Sequence, residues 1–129
     1  MFVLRAKISA ALTALACAVL LSAAIAASTA RAAELVVFGS ARCPYCLAWE
    51  REIGHAYPKS EEARKAPLRR IAIQARRPAD LAQINDVHVT PTFVLVDNGR
   101  EVGRITGYSG NEFFWPELDR LLARLHPRG

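Results

Sequence analysis

Apolar positions along this chain switch repeatedly between a strand-like and a helix-like rhythm. Leu35-Val36-Val37-Phe38 is a continuous apolar run ending at Gly39-Ser40, the pattern of a strand buried on both faces. Leu47, Trp49 and Ile53 then supply an apolar stripe for a helix that opens near Cys43 and fades over residues 54–58. Pro44 suits its first turn, where a missing N–H costs nothing. Residues 60–65 read as a further helical turn, stopped by Pro67. Residues 68–73 read as a second strand, with Ile71 and Ile73 alternating against Ala72 and Gln74 and Arg69-Arg70 at its exposed start. Residues 78–84 read as a short helix. Residues 92–96 and 101–106 read as two strands joined at Asp97-Asn98-Gly99, because Asn-Gly accepts the positive φ of a tight hairpin. Ser109-Gly110-Asn111-Glu112 fits a capping box. A last helix follows to about Leu125, with Phe113, Leu118, Leu121, Leu122 and Leu125 expected on the sheet and Pro116 starting its regular part or kinking it. The order is β-α-β-α-β-β-α, an α/β sheet with one hairpin.

The opening stretch belongs to a different class. Arg5 and Lys7 precede an uncharged Ala/Leu-rich run over residues 8–27, and Ala30-Arg31-Ala32 has the small-x-small form of a cleavage site. Residues 1–32 therefore read as a secretory signal peptide. A retained membrane anchor is the rival, since such a run is long enough to span a bilayer, but its Ala and Ser content makes a weak span. Cys17 lies within the run, with Ala14 where lipoprotein signals carry Leu, and reads as a residue discarded with the signal. Residues 33–129 then form one small domain. The full chain carries 17 Lys and Arg against 12 Asp and Glu; without Arg5, Lys7 and Arg31 the cations fall to 14 and the net charge to +2. That removes the main support for nucleic-acid binding, and Arg69-Arg70 and Arg76-Arg77 read as a solvated rim.

The exported domain keeps two cysteines, Cys43 and Cys46, in Cys43-Pro44-Tyr45-Cys46. Outside the cytosol a disulfide between them persists. So short a loop constrains the unfolded chain little, which argues for a redox pair over a staple. The same spacing also serves zinc sites, haem attachment and inert disulfides. Cys43, Cys46, His55 and His88 form a conceivable two-sulfur, two-nitrogen metal set, but the spacing matches no compact finger. His55 and His126 read as surface residues and His88 as a loop residue near the site. Trp49, Phe113, Phe114 and Trp115 read as packing groups, with Trp49 a candidate border of a substrate groove.

Further along stands Val89-Thr90-Pro91-Thr92-Phe93. With this segment and the C-x-x-C together, the sequence resembles the thioredoxin/glutaredoxin superfamily, and the resemblance covers residues 34–125. It implies a minimal thioredoxin fold with a central mixed four-stranded sheet. Cys43 is then the attacking thiol, aided by the helix N-terminus and by Arg42. Cys46 is the resolving thiol, more buried and protonated until it attacks. Pro91 is cis opposite Cys43, and Thr90 pairs its backbone with a substrate strand, beside Pro44 and Tyr45. Cys-Pro-Tyr-Cys is typical of glutaredoxins, whereas residues 94–108 look more like a thioredoxin. The paired glycines that hold glutathione are replaced imperfectly by Gly107 and Gly110. Many thioredoxins place a buried carboxylate six residues before the first cysteine, where this chain has Val37. Glu50, the nearest acid, reads as solvated and receives no catalytic role.

The resemblance implies a periplasmic thiol–disulfide oxidoreductase with no bound cofactor, acting as a monomer on cysteines of exported proteins. The absence of a long helical insertion or a dimerisation domain favours a reductant, supplied by a membrane dithiol carrier. The short exported form and the Gly107-Tyr108 and Glu112-Phe113-Phe114-Trp115 segments are similar to SoxS-type thioredoxins of bacterial sulfur oxidation, which implies a sulfur-carrier protein as partner. A disulfide-donating oxidase, a metallochaperone using Cys43 and Cys46, and a non-catalytic adaptor are the alternatives.

Overall fold

The computed structural model describes residues 32–125. The expected signal peptide, including Cys17, lies outside these residues except for Ala32, and His126 lies outside them too. Among the described residues no helix is long and apolar enough to cross a membrane.

Strand β1 (Glu34–Gly39) leads into helix α1 (Pro44–Trp49), which continues as a π-helical turn over Glu50–Gly54. A 3-10 turn (Tyr57–Lys59) and helix α2 (Glu61–Lys65) return the chain to β2 (Leu68–Ala72). A second 3-10 turn (Ala79–Leu81), β3 (Thr92–Asp97), β4 (Arg100–Thr106) and helix α3 (Asn111–Leu122) complete the order. The four-stranded sheet runs β2-β1-β3-β4. β1 is parallel to β2 and antiparallel to β3, and β3 is antiparallel to β4.

Both faces of β1 and β3 are covered, which explains their unbroken apolar runs. Leu35, Val37, Phe93 and Leu95 point into a core with Trp49, Ile53, Tyr57, Phe114, Leu118 and Leu121. Val36, Phe38, Val94 and Val96 point the other way, against Leu81, Ile84 and Val87. Trp49, Phe93 and Phe114 meet with ring centroids 4.9–6.0 Å apart. The Tyr57 hydroxyl donates to the Ala66 carbonyl at 2.8 Å, fixing the approach to β2. Asn98 and Gly99 both have positive φ (52° and 74°), as a two-residue hairpin turn needs.

The structure departs from the sequence pattern in several places. Leu47 is 48% exposed rather than part of the α1 stripe, which consists of Trp49 and Ile53. The segment 78–84 forms only the single turn Ala79–Leu81. It covers the sheet through Leu81, Ile84 and Val87, and Arg104 ties it to β4 by donating to the Asn85 and Asp86 carbonyls, 3.0 Å each. Long-range anchoring thus replaces helical hydrogen bonds. The capping box does not form: Gly110, at φ 113°, precedes α3 and no side chain caps it. Pro116 lies inside α3, so of its two expected roles the start of the regular helix does not hold. Phe113 is 58% exposed, and Phe114 takes its expected place on the sheet. A helix over Asn111–Leu122 puts Phe114, Leu118 and Leu121 on one stripe at 3–4 residue spacing, and Leu125, past its end, packs against the same core.

Nor is the arginine pair at β2 a solvated rim. Arg69 bridges Glu34 (3.1 Å) and Asp80 (2.6 Å), and Arg70 pairs with Glu50 at 2.6 Å. Arg77 stacks over the Phe38 ring at 4.3 Å.

The phenylalanine pair gives a direct test of how α3 is rotated. Phe114→Ala is expected to cost about 3–5 kcal/mol in denaturant unfolding, and Phe113→Ala less than about 0.5 kcal/mol.

Candidate active site

The β1–β3 register brings the two signal segments together. Phe38 faces Thr92 across the antiparallel pair, so the chain leaving β1 and the chain entering β3 meet at one end of the sheet. On the first side, the Cys43 N–H donates to the Ser40 carbonyl at 3.1 Å, closing a turn. Cys43 is extended (φ −86°, ψ 115°) and serves as the N-cap of α1, its sulfur accepting the Cys46 N–H at 3.2 Å. Pro44 occupies the first helical turn. On the second side, the Thr90–Pro91 peptide bond is cis. The Thr92 hydroxyl donates to the Val89 carbonyl and the Gly107 N–H to the Pro91 carbonyl, each at 2.7 Å. Across the gap the Cys43 thiol lies 3.3 Å from the Thr90 carbonyl, a contact between residues 47 apart in sequence. Cys43, Cys46, Thr90 and Pro91 therefore share one site, with Pro44 and Tyr45 exposed beside it.

Both cysteines are free thiols, and their surroundings drive them apart. Burial opposes ionisation of Cys43. Hydrogen bonds from Cys46, from the Thr90 side chain and from the backbone of Cys46 and Tyr45 outweigh it, leaving this thiol below the ordinary cysteine range. Burial pushes Cys46 up, and so does its hydrogen bond to Cys43, against weaker opposing contacts from Ser40 and Thr90. The favoured arrangement is a Cys43 thiolate accepting from a protonated Cys46.

Two sequence expectations need correction. Arg42 is exposed, and its charge is not among the causes of the Cys43 shift. Cys46 is not the more covered residue: Cys43 is 8% exposed and Cys46 is half-buried. Cys46 opens on a pocket, yet desolvation still holds its thiol protonated, while Cys43 is compensated by the hydrogen bonds it receives.

That pocket, about 310 Å³, lies beside Cys46. Val37, Trp49, Leu47, Ile71 and Pro91 give it apolar walls, and Glu50 and Arg70 stand among its lining residues. Trp49 thus borders the site while packing in the core. Glu50 was legible only as a nearby acid; its pairing with Arg70 had no sequence signal. The two described histidines lie near carboxylates. His55 lies 3.7 Å from Glu50, and His88 faces Asp86 at 3.9 Å in solvent. Among the described residues no group of three or more His, Cys, Asp or Glu side chains is placed to hold a metal ion.

The fold and a capped dithiol facing a proline loop define a class, and comparison with known proteins gives the same one. A family model described as a thioredoxin-like domain matches residues 21–122, and the chain belongs to that family. It is a thiol–disulfide oxidoreductase. Among solved structures it is similar to the periplasmic thioredoxin SoxS from Paracoccus pantotrophus in its reduced form. The two share 40% identity over 71% of this chain and 97% of that one, with a TM-score of 0.68. No curated protein sequence matches.

The Thr90 side chain favours the charged form of both thiols. Thr90→Val is therefore expected to raise the pH at which Cys43 ionises, read from thiolate absorbance near 240 nm. An unchanged titration would show that the hydrogen bonds from Cys46 and Tyr45 suffice.

Proposed function

We propose that this protein is a periplasmic dithiol reductant of cysteines on exported proteins. The observation carrying this reading is the Cys43 sulfur, held at the mouth of α1 by the Cys46 N–H and facing the Thr90 carbonyl. A thiolate there attacks a substrate disulfide and forms a mixed disulfide; Cys46 then displaces the reduced substrate and closes the Cys43–Cys46 bond. The Thr90–Pro91 backbone and the exposed Pro44 and Tyr45 form the substrate ledge. Tyr45 (63% exposed) and Val89 (49%) offer apolar surface on its two sides. The periplasmic assignment draws support from the signal-like residues 1–32 and from the similar periplasmic thioredoxin.

The similarity to SoxS also supports a narrower reading, in which the substrate is a sulfur-carrier protein with a reactive cysteine and a membrane dithiol carrier restores the Cys43–Cys46 dithiol. Stabilisation of the Cys43 thiolate lowers the energy of the dithiol relative to the disulfide, which raises the potential of the couple and limits how strong a reductant the protein is.

Cys46→Ser is expected to accumulate disulfide-linked substrate in periplasmic extracts, and Cys43→Ser to lose both activity and adduct. Equilibration in glutathione buffers should give a reduction potential near the thioredoxin value of about −270 mV. A value near −120 mV would make the protein a disulfide donor instead.

A further inference from the structure

Cys46 must give up a proton before it attacks, and in the mixed disulfide the Cys43 sulfur that otherwise accepts from it is bonded to the partner. The Cys46 sulfur lies against β1, since a β-carbon built on Gly39 would fall 3.7 Å from it. Val37, on the same strand and lining the same pocket, is apolar. Besides Cys46, the ionisable side chains lining that pocket are Glu50 and Arg70, and a guanidinium cannot accept a proton.

Glu50 is built into the wall. It lies four residues after Cys46, and its N–H donates to the Cys46 carbonyl, so both side chains share one helix face. Arg70 grips its carboxylate through two nitrogens at 2.6 and 3.2 Å, and also donates to the Gly54 carbonyl at 3.2 Å. The wide π-helical turn brings Gly54 under the carboxylate. A β-carbon at Gly54 would lie 2.6 Å from the Glu50 carboxyl carbon, so glycine is required for this placement. A pocket of about 310 Å³ with polar groups on its wall has room for bridging water.

We propose that Glu50, positioned by Arg70, takes the proton of the Cys46 thiol through pocket water as Cys46 resolves a mixed disulfide. The proposal rests on the redox-pair reading above. The Cys46 S–H bond breaks and its proton passes to the Glu50 carboxylate. The freed electron pair forms the Cys46–Cys43 bond, and the bond between Cys43 and the partner sulfur breaks. The partner leaves reduced, as a thiolate, and the protein is left oxidised. Glu50 then returns the proton to solvent. The groups facing this path are Arg70 from β2, His55 at the end of the π-helical turn (3.7 Å from Glu50), the Cys43 sulfur, and the uncharged Thr90 and Pro91.

The test is stopped-flow reaction of the reduced protein with 5,5′-dithiobis(2-nitrobenzoate) between pH 5.5 and 9. Attack by Cys43 releases one thionitrobenzoate, and resolution by Cys46 releases a second. In Glu50→Gln the first phase is expected to stay within about twofold. The second should slow about 100-fold at the acid end and recover about tenfold per pH unit, because hydroxide must then do the work. Glu50→Asp should restore most of the rate. Arg70→Met, which keeps the carboxylate, should slow the second phase less and keep the shallow pH profile, and His55→Gln should keep it too. A second phase that is unchanged in Glu50→Gln overturns the proposal. So does one slowed equally at every pH, or equally in Glu50→Gln and Arg70→Met, since those patterns mark a structural ion pair. Failure of the wild type to release a second equivalent would instead sink the redox-pair reading itself.

Discussion

The antiparallel register of β1 on β3 is the constraint from which the site follows. Phe38 opposes Thr92, and both strands are buried on two faces. A slip of one residue would turn every core side chain to the wrong face, so the register is strongly held. Once it is held, the turn after Gly39 and the loop before Thr92 have no choice but to meet. The contact of Cys43 with Thr90 is the product of that meeting. Neither segment carries the contact alone, since Cys43 and Thr90 lie on separate connections 47 residues apart in sequence.

Within the site, one backbone N–H does two things. By donating to the Cys43 sulfur, Cys46 caps α1 and stabilises negative charge on that sulfur. The same geometry burdens Cys46, whose own thiol donates to Cys43 and gains little in return. Two chemically identical side chains three residues apart thereby acquire opposite tendencies. Environments that push paired groups apart are the usual sign of divided roles. The pocket beyond Cys46 extends this division: the attacking sulfur sits against the Thr90 carbonyl, and the other opens on the space lined by Glu50 and Arg70.

Much of the fold was legible because its signals are local. The run Leu35-Val36-Val37-Phe38 reads as a central strand, and Asn98-Gly99 reads as a tight turn since both residues tolerate positive φ. Ser60 reads as a helix start and does cap α2 through the Ala63 N–H at 3.1 Å. Misreadings fell where a local rule met a tertiary demand. Ser109 and Glu112 have capping chemistry, but Gly110 takes the entry to α3 at a φ open mainly to glycine. That shift moves Phe114, not Phe113, onto the core. Residues 78–84 carry helix-like composition, yet anchoring by Leu81, Ile84 and Arg104 holds them in a single turn. Exposure of Cys46 was misjudged because a pocket is made by several elements at once.

By itself the sequence determined the order of elements, the buried strands, the hairpin and the pair of thiols at a helix start, all properties of residues within a few positions of one another. The thioredoxin-like family was legible as well, from two short segments at a characteristic separation. That Cys43 ionises first was legible from the resemblance and the helix start; only the tertiary structure decided which contacts bring it about, the Thr90 side chain and burial among them. It alone decided that Arg70 reaches across from β2 to hold Glu50. Hydrogen bonds and ion pairs between distant segments depend on strand register and helix packing, and spacing along the chain does not encode the final few ångströms.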